Sequence, residues 1–260
     1  MTLKALVLDS DGTLAETADV KRAAFNQAFV EFGLDWVWGR GIYAQILANA
    51  LPGAEVEFYT LMRHPEMFNR LERTGLLDKI PRRQKAIYLG LLEAGAAPLR
   101  PGIARLLAEA AMSKMKLAIC STSPRAEYEL LLFNRFGREM IDALKGSVSG
   151  EDLQGVSPIQ AYRTCLARLQ LHPSEVMVIE DAPNGVAAAA SLGMQVVATP
   201  SLYTLSGRFS AATLVVSDLG HPAAPLAVLK GDAEGAAYLS LEALRRVHGQ
   251  KDPVAINRAA

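Results

Sequence analysis

Ala5-Leu6-Val7-Leu8-Asp9-Ser10-Asp11-Gly12-Thr13-Leu14 is the stretch that most constrains what this chain can fold into. An apolar run of strand length ends on an aspartate, a second aspartate follows two residues later, and Gly-Thr comes next. An extended chain repeats every two residues, so Asp9 and Asp11 leave a strand end on the same side. Gly12 permits the sharp turn that follows. Two carboxylates at a strand end suit a hard, oxygen-preferring cation such as Mg2+. The same spacing is also ordinary turn chemistry after a strand, or the start of a calcium loop. An EF-hand needs a closing glutamate, and Thr17 to Val20 supply none.

The rest of the chain places that strand in a sheet. Asp19 to Phe32 carries Val20, Ala23, Ala24, Ala28 and Phe29 as a helical stripe, stopped by Gly33. From Leu34 to about Gly95 the pattern is helical throughout, with breaks expected at Pro52-Gly53, His64-Pro65, Gly75 and Pro81. Strands are expected at 116–120, weakly near Ser147-Val148, and at 176–179, 195–199 and 213–216. Helices at 103–112, 125–136, 158–170 and 184–192 alternate with them. Such alternation implies a parallel, doubly wound α/β sheet. The reading is therefore a Rossmann-like core of residues 1–15 and 97–260, interrupted by an all-helical insertion at 16–96. After Pro222 the tail is rich in Pro, Gly and Ala, with one helix near 240–248.

Ligands in such sheets bind beyond the carboxyl ends of the strands. One strand ends in Asp9 and Asp11, another in Ser121-Thr122-Ser123, and a third in Glu180-Asp181. Each group alone could be a helix cap. Together at one edge they form a site with a job for every member in phosphoryl transfer. Asp9 would attack phosphorus, and Asp11 would protonate the leaving oxygen and then deprotonate water. Ser121 would hold a phosphoryl oxygen. Asp9, Asp11 (through its carbonyl) and Asp181 would hold Mg2+, with Glu180 supporting the shell.

Composition excludes several other classes. With 27 basic and 27 acidic residues, no global field favours nucleic acid or an anionic membrane. Cys120 and Cys165 match no metal spacing, no signal peptide is evident, and no apolar run reaches membrane-spanning length, so a cytoplasmic setting is expected. Trp36 and Trp38 read as packing of the insertion, and the four histidines join no motif.

The three strand ends resemble motifs I, II and IV of the haloacid dehalogenase (HAD) superfamily, in the family's order. The helical insertion resembles its C1 cap, which closes over the sheet edge and selects substrates. Gly33-Leu34-Asp35-Trp36, Glu180-Asp181 with Asn184-Gly185, and Thr199-Pro200-Ser201-Leu202-Tyr203-Thr204 are similar to the CbbY-like, β-phosphoglucomutase-like group. The resemblance implies a Mg2+-dependent phosphatase for a small sugar phosphate, with xylulose-1,5-bisphosphate as the characteristic substrate. It places Thr122, Gly12 and Asn184 at the substrate. A sugar phosphomutase of the same family, and a weakly catalytic HAD-like binding protein, remain alternatives. Two departures stand out. Val156 falls where motif III has a lysine, and Ala50-Leu51-Pro52-Gly53-Ala54-Glu55 replaces a Gly-Gly-Lys-Glu-Arg-like cap loop. Lys145, Arg163 and Arg168 are the nearby cations that could stand in for the lysine.

Overall fold

The computed structural model describes residues 2–249 except 154 and 156. The chain divides into two compact units, Met1–Glu16 with Pro98–Ala260 and Thr17–Ala97. In chain order the elements are β1 (Ala5–Leu8), α1 (Thr17–Glu31), α2 (Arg40–Asn49), α3 (Glu55–Arg63), α4 (Phe68–Arg73) and α5 (Leu76–Glu93). There follow α6 (Ile103–Ala111), β2 (Lys116–Ile119), α7 (Arg125–Phe136), α8 (Arg138–Ala143), α9 (Pro158–Leu169), β3 (Val176–Glu180) and α10 (Pro183–Ser191). The last are β4 (Gln195–Ala198), β5 (Leu214–Val216), β6 (Val228–Lys230) and α11 (Leu241–Gly249).

The first unit is built on one sheet in the order β2-β1-β3-β4-β5-β6. β1 to β5 pair in parallel, and β6 closes one edge antiparallel to β5. All four residues of β1 are buried, as expected of a central strand covered on both faces. Its register sets Leu8 level with Ile119 on one side and with Ile179 on the other. The next residue of each strand is Asp9, Cys120 and Glu180, so the chemistry-bearing ends lie in one row. Ala5, Val7, Ala118, Val176, Val178, Val196 and Ala198 join Tyr162, Cys165, Leu169, Val186 and Ala189 of α9 and α10 in a single apolar cluster.

Several local expectations are corrected. Ser147-Val148 forms no strand; Val148 makes a single parallel bridge to Cys120. β6 and α8 were not foreseen. In the second unit Pro81 lies inside α5 and does not break it. Proline there forfeits one backbone hydrogen bond. Burial of Ile80, Gln84, Ile87, Tyr88 and Leu92, on a helix packed along α1, outweighs that loss. Trp36 and Trp38 are buried among Phe25, Phe29, Tyr43 and Tyr59, with the Trp38 ring 4.6 Å from that of Phe25 and 4.8 Å from that of Phe29. The basic residues Arg63, Arg70, Arg73, Arg82, Arg83 and Lys85 of α3 to α5 are all exposed, and Arg83 is paired with Glu31. No helix among the described residues is long and apolar enough to cross a membrane.

Candidate active site

Carboxylate oxygens of Asp9, Glu180 and Asp181 lie within 4.8 Å of one another at the carboxyl edge of β1 and β3. They line a cavity of about 160 Å³ together with Asp11, Ser121, Thr122 and Asn184. The larger cavity of this unit, about 560 Å³, lies elsewhere, between α7, α8 and α9. Its Arg125 and Arg168 are both paired with Asp152. The small acidic cavity is therefore the candidate site.

Each group is held by its neighbours. Asp11 is not one of the three clustered carboxylates; its Oδ2 accepts a hydrogen bond of 2.5 Å from Ser123 Oγ. Ser121 Oγ accepts from the Ser123 N–H at 3.0 Å, which leaves its own O–H free to donate into the cavity. Glu180 accepts from the Ala182 N–H at 2.7 Å and from Tyr162 Oη at 3.3 Å. Thr204 Oγ1 donates to Asp181 Oδ2 at 3.1 Å. Asn184 lines the cavity, and its Oδ1 caps the Gly185 N–H at 3.0 Å. Gly12 has φ +78°, and a Cβ there would sit 2.2 Å from Asp181 Oδ2. The geometry thus sets Gly12 against Asp181, and at Gly185 a Cβ would sit 1.6 Å from Glu180 Oε1. Close approach and turn shape both require glycine at Gly12, whereas at Gly185, inside α10, close approach alone does.

Sequence reasoning missed Ser123, Ser201, Thr204 and Arg100 as members of this neighbourhood. Ser123 was visible in Ser121-Thr122-Ser123 as a third hydroxyl at a strand end. Arg100 carried no local signal. Val156 lies outside the described residues. Of the cations that could replace a lysine there, Arg168 binds Asp152, Lys145 donates to the Asp142 carbonyl, and Arg163 is exposed. None of the three lines the acidic cavity.

The electrostatics follow from burial. Glu180 is pushed up to about 8, first by burial and then by Asp181. Asp181 is raised to about 6 by burial, against the lowering effect of Ser201, Thr204 and Arg100. Asp9 is raised well above its usual range by burial and by Glu180, Asp181 and Asp11. At an effective dielectric of 20, two carboxylate charges 4.8 Å apart repel by about 3 kcal/mol. A set of carboxylate oxygens that resists ionisation when alone fits a hard divalent cation.

A pH dependence follows. Between the ordinary values of 4.5 and 3.8 and the raised values near 8 and 6, the folded protein holds protons that the unfolded chain has released. Stability of the metal-free protein therefore falls as pH rises through that window. Thermal melts in EDTA are expected to drop from about pH 5 to pH 8. The gain on adding Mg2+ should grow over the same range, because the cation binds the deprotonated ligands. A Mg2+ stabilisation that shrinks with rising pH would contradict the cluster's assignment.

Comparison with known proteins identifies the family. Residues 3–193 match the haloacid dehalogenase-like hydrolase family, and the chain belongs to that family. Within it the chain is CbbY-like, and as an enzyme it is a phosphatase of the family. It is 34% identical to the plasmid-borne protein CbbY of Cupriavidus necator, over 95% of this chain and 97% of that one. The crystal structure of CbbY from Rhodobacter sphaeroides in complex with phosphate is similar at a TM-score of 0.68 and 29% identity, covering 83% of this chain and 94% of that one. A mutant of the same CbbY in complex with xylulose-(1,5)bisphosphate is similar at a TM-score of 0.68 and 28% identity, covering 85% of this chain and 98% of that one.

Proposed function

We propose that the protein is a Mg2+-dependent phosphatase that removes phosphate from a small sugar phosphate through an aspartyl-phosphate on Asp9. The meeting of Asp9, Glu180 and Asp181 within 4.8 Å, in a cavity that Asp11 and Ser121 also line, carries this reading. An oxygen of Asp9 attacks phosphorus, and the sugar oxygen leaves with a proton from Asp11. Asp11, oriented by Ser123, then takes a proton from water as it attacks the acyl phosphate, which releases inorganic phosphate and regenerates Asp9. Ser121 and the adjoining N–H groups hold the phosphoryl oxygens, with Thr122 and Asn184 beside them. Asp9, Asp181 and the Asp11 carbonyl would hold Mg2+, supported by Glu180, and bound Mg2+ supplies positive charge that offsets the phosphoryl and carboxylate charges. Thr17–Ala97 serves as the substrate-selecting cap. Similarity to an enzyme solved with xylulose-(1,5)bisphosphate supports a pentulose bisphosphate as the substrate. Two free, buried cysteines support a reducing, cytoplasmic setting.

Val156 in the lysine position favours a second reading, a weakly catalytic binder of phosphorylated metabolites. One screen separates the two. Phosphate release is measured over sugar mono- and bisphosphates, with Mg2+ and with EDTA. The enzyme reading expects turnover of a pentulose bisphosphate that EDTA abolishes. Metal-dependent binding of the same sugar without phosphate release would favour the binder, and EDTA-resistant turnover would remove Mg2+ from the scheme.

A further inference from the structure

We propose that Arg100 is a positioning residue of the cation site, acting through Asp181; this rests on Asp181 holding the cation as proposed above. Its side chain is only 8% exposed. Nη1 donates to the Gly12 carbonyl and, at 2.6 Å, to the Thr199 carbonyl. Nη2 donates to the carbonyls of Pro200 at 2.9 Å and Ser217 at 3.0 Å, and Nε faces Glu16 Oε1 at 3.4 Å. One guanidinium thus joins the turn after β1, the loop after β4 and the residue after β5.

Two of those segments are the walls against which Asp181 rests. Gly12 lies so close that no side chain fits between it and Asp181 Oδ2. Beyond Pro200, the Ser201 N–H donates to Thr204 Oγ1 at 2.8 Å, and that hydroxyl donates to Asp181 Oδ2 at 3.1 Å. Glu16, beside Arg100, accepts from the Leu202 N–H at 3.3 Å in the same loop. The path from guanidinium to carboxylate is therefore continuous through hydrogen bonds and short stretches of backbone. Only a planar fork with five donors spans carbonyls in these directions; a lysine offers three donors at one point. A plain staple of the fold would change stability alone, whereas a positioning residue also changes cation affinity.

Arg100→Lys, Thr204→Val and the double variant are compared with the natural protein. Binding of Mg2+ to substrate-free protein is titrated by calorimetry, melting is followed in EDTA, and kcat and KM are measured across Mg2+ concentrations. Arg100→Lys should weaken Mg2+ binding about 10- to 100-fold, the usual range for outer partners of a ligand. Activity should be recovered at saturating Mg2+, with the sugar-phosphate KM unchanged. Thr204→Val should shift Mg2+ affinity the same way, and the double variant should fall short of the sum, because both act on one carboxylate. Lower melting in EDTA with natural Mg2+ affinity would make Arg100 a staple only and overturn the proposal. Should Arg100→Lys not fold, unchanged Mg2+ affinity in Thr204→Val overturns it alone. A natural protein that binds no Mg2+ would overturn the metal reading and this one with it.

Discussion

Asp9→Asn is expected to abolish phosphate release, with a loss of about 10⁴-fold or more, while the fold and Mg2+-dependent ligand binding persist. Removing the nucleophile from a covalent mechanism typically costs this much or more, and binding groups supply only the residue of activity. The fold should survive for a reason specific to this site. Asp9 ends a fully buried strand and stands against Glu180 and Asp181, where its charge is disfavoured by burial and by both neighbours. A neutral amide of the same shape relieves that repulsion, so the EDTA-treated variant should melt no lower than the natural protein at pH 8. Asp11→Asn should differ in kind. It leaves the attacking carboxylate in place and impairs protonation of the leaving oxygen and hydrolysis of the intermediate. Rapid-quench detection of a phosphoprotein in Asp11→Asn, and of none in Asp9→Asn, is the measurement. Undiminished phosphate release from Asp9→Asn would falsify the nucleophile.

Val156→Lys is expected to raise phosphate release by about ten- to a thousandfold. A phosphate dianion entering the site meets Asp9, Asp11, Glu180 and Asp181. Bound Mg2+ would cancel part of that charge. Among the described residues, Arg100 lowers the Asp181 carboxyl, but its Nη donors are spent on backbone carbonyls and its Nε faces Glu16. Opposite charges about 4 Å apart in a partly dry cleft are worth about 4 kcal/mol at an effective dielectric of 20, so an added ammonium has much to stabilise. A grafted lysine lacks a supporting shell, which favours the lower end of the range. The check is kcat/KM of both proteins over the sugar phosphates. A natural protein already at full activity, with no gain in the variant, would show that an existing cation supplies the charge. Single replacements of Arg163, Arg168 and Lys145 would then identify it.

Parts of this molecule were legible from local pattern. β1 could be read from four apolar residues ending on aspartate, and β3 from Val176-Met177-Val178-Ile179, because a strand buried on both faces must be continuously apolar. The helical run from α1 to α5 was legible because its apolar residues recur at helical spacing. The pairing of strand ends was legible too, since every parallel strand of a doubly wound sheet delivers its last residue to the same edge.

What local pattern could not reach was set by contacts between distant segments. Pro81 stays inside α5 because burial along that helix outweighs one lost hydrogen bond, a balance no window of sequence contains. β6 is exposed at all three residues and shows no alternation; it is a strand only because β5 offers it an edge to pair with. Ser123 meets Asp11 across 112 positions of chain, and Arg100 meets Gly12 across 88 and Thr199 across 99. The sequence nominated the groups that could bear the chemistry. Folding chose which of them share one cavity, which hydroxyl each carboxylate leans on, and which buried guanidinium ties their walls together, because those choices are made by long-range packing and by buried polar groups seeking partners.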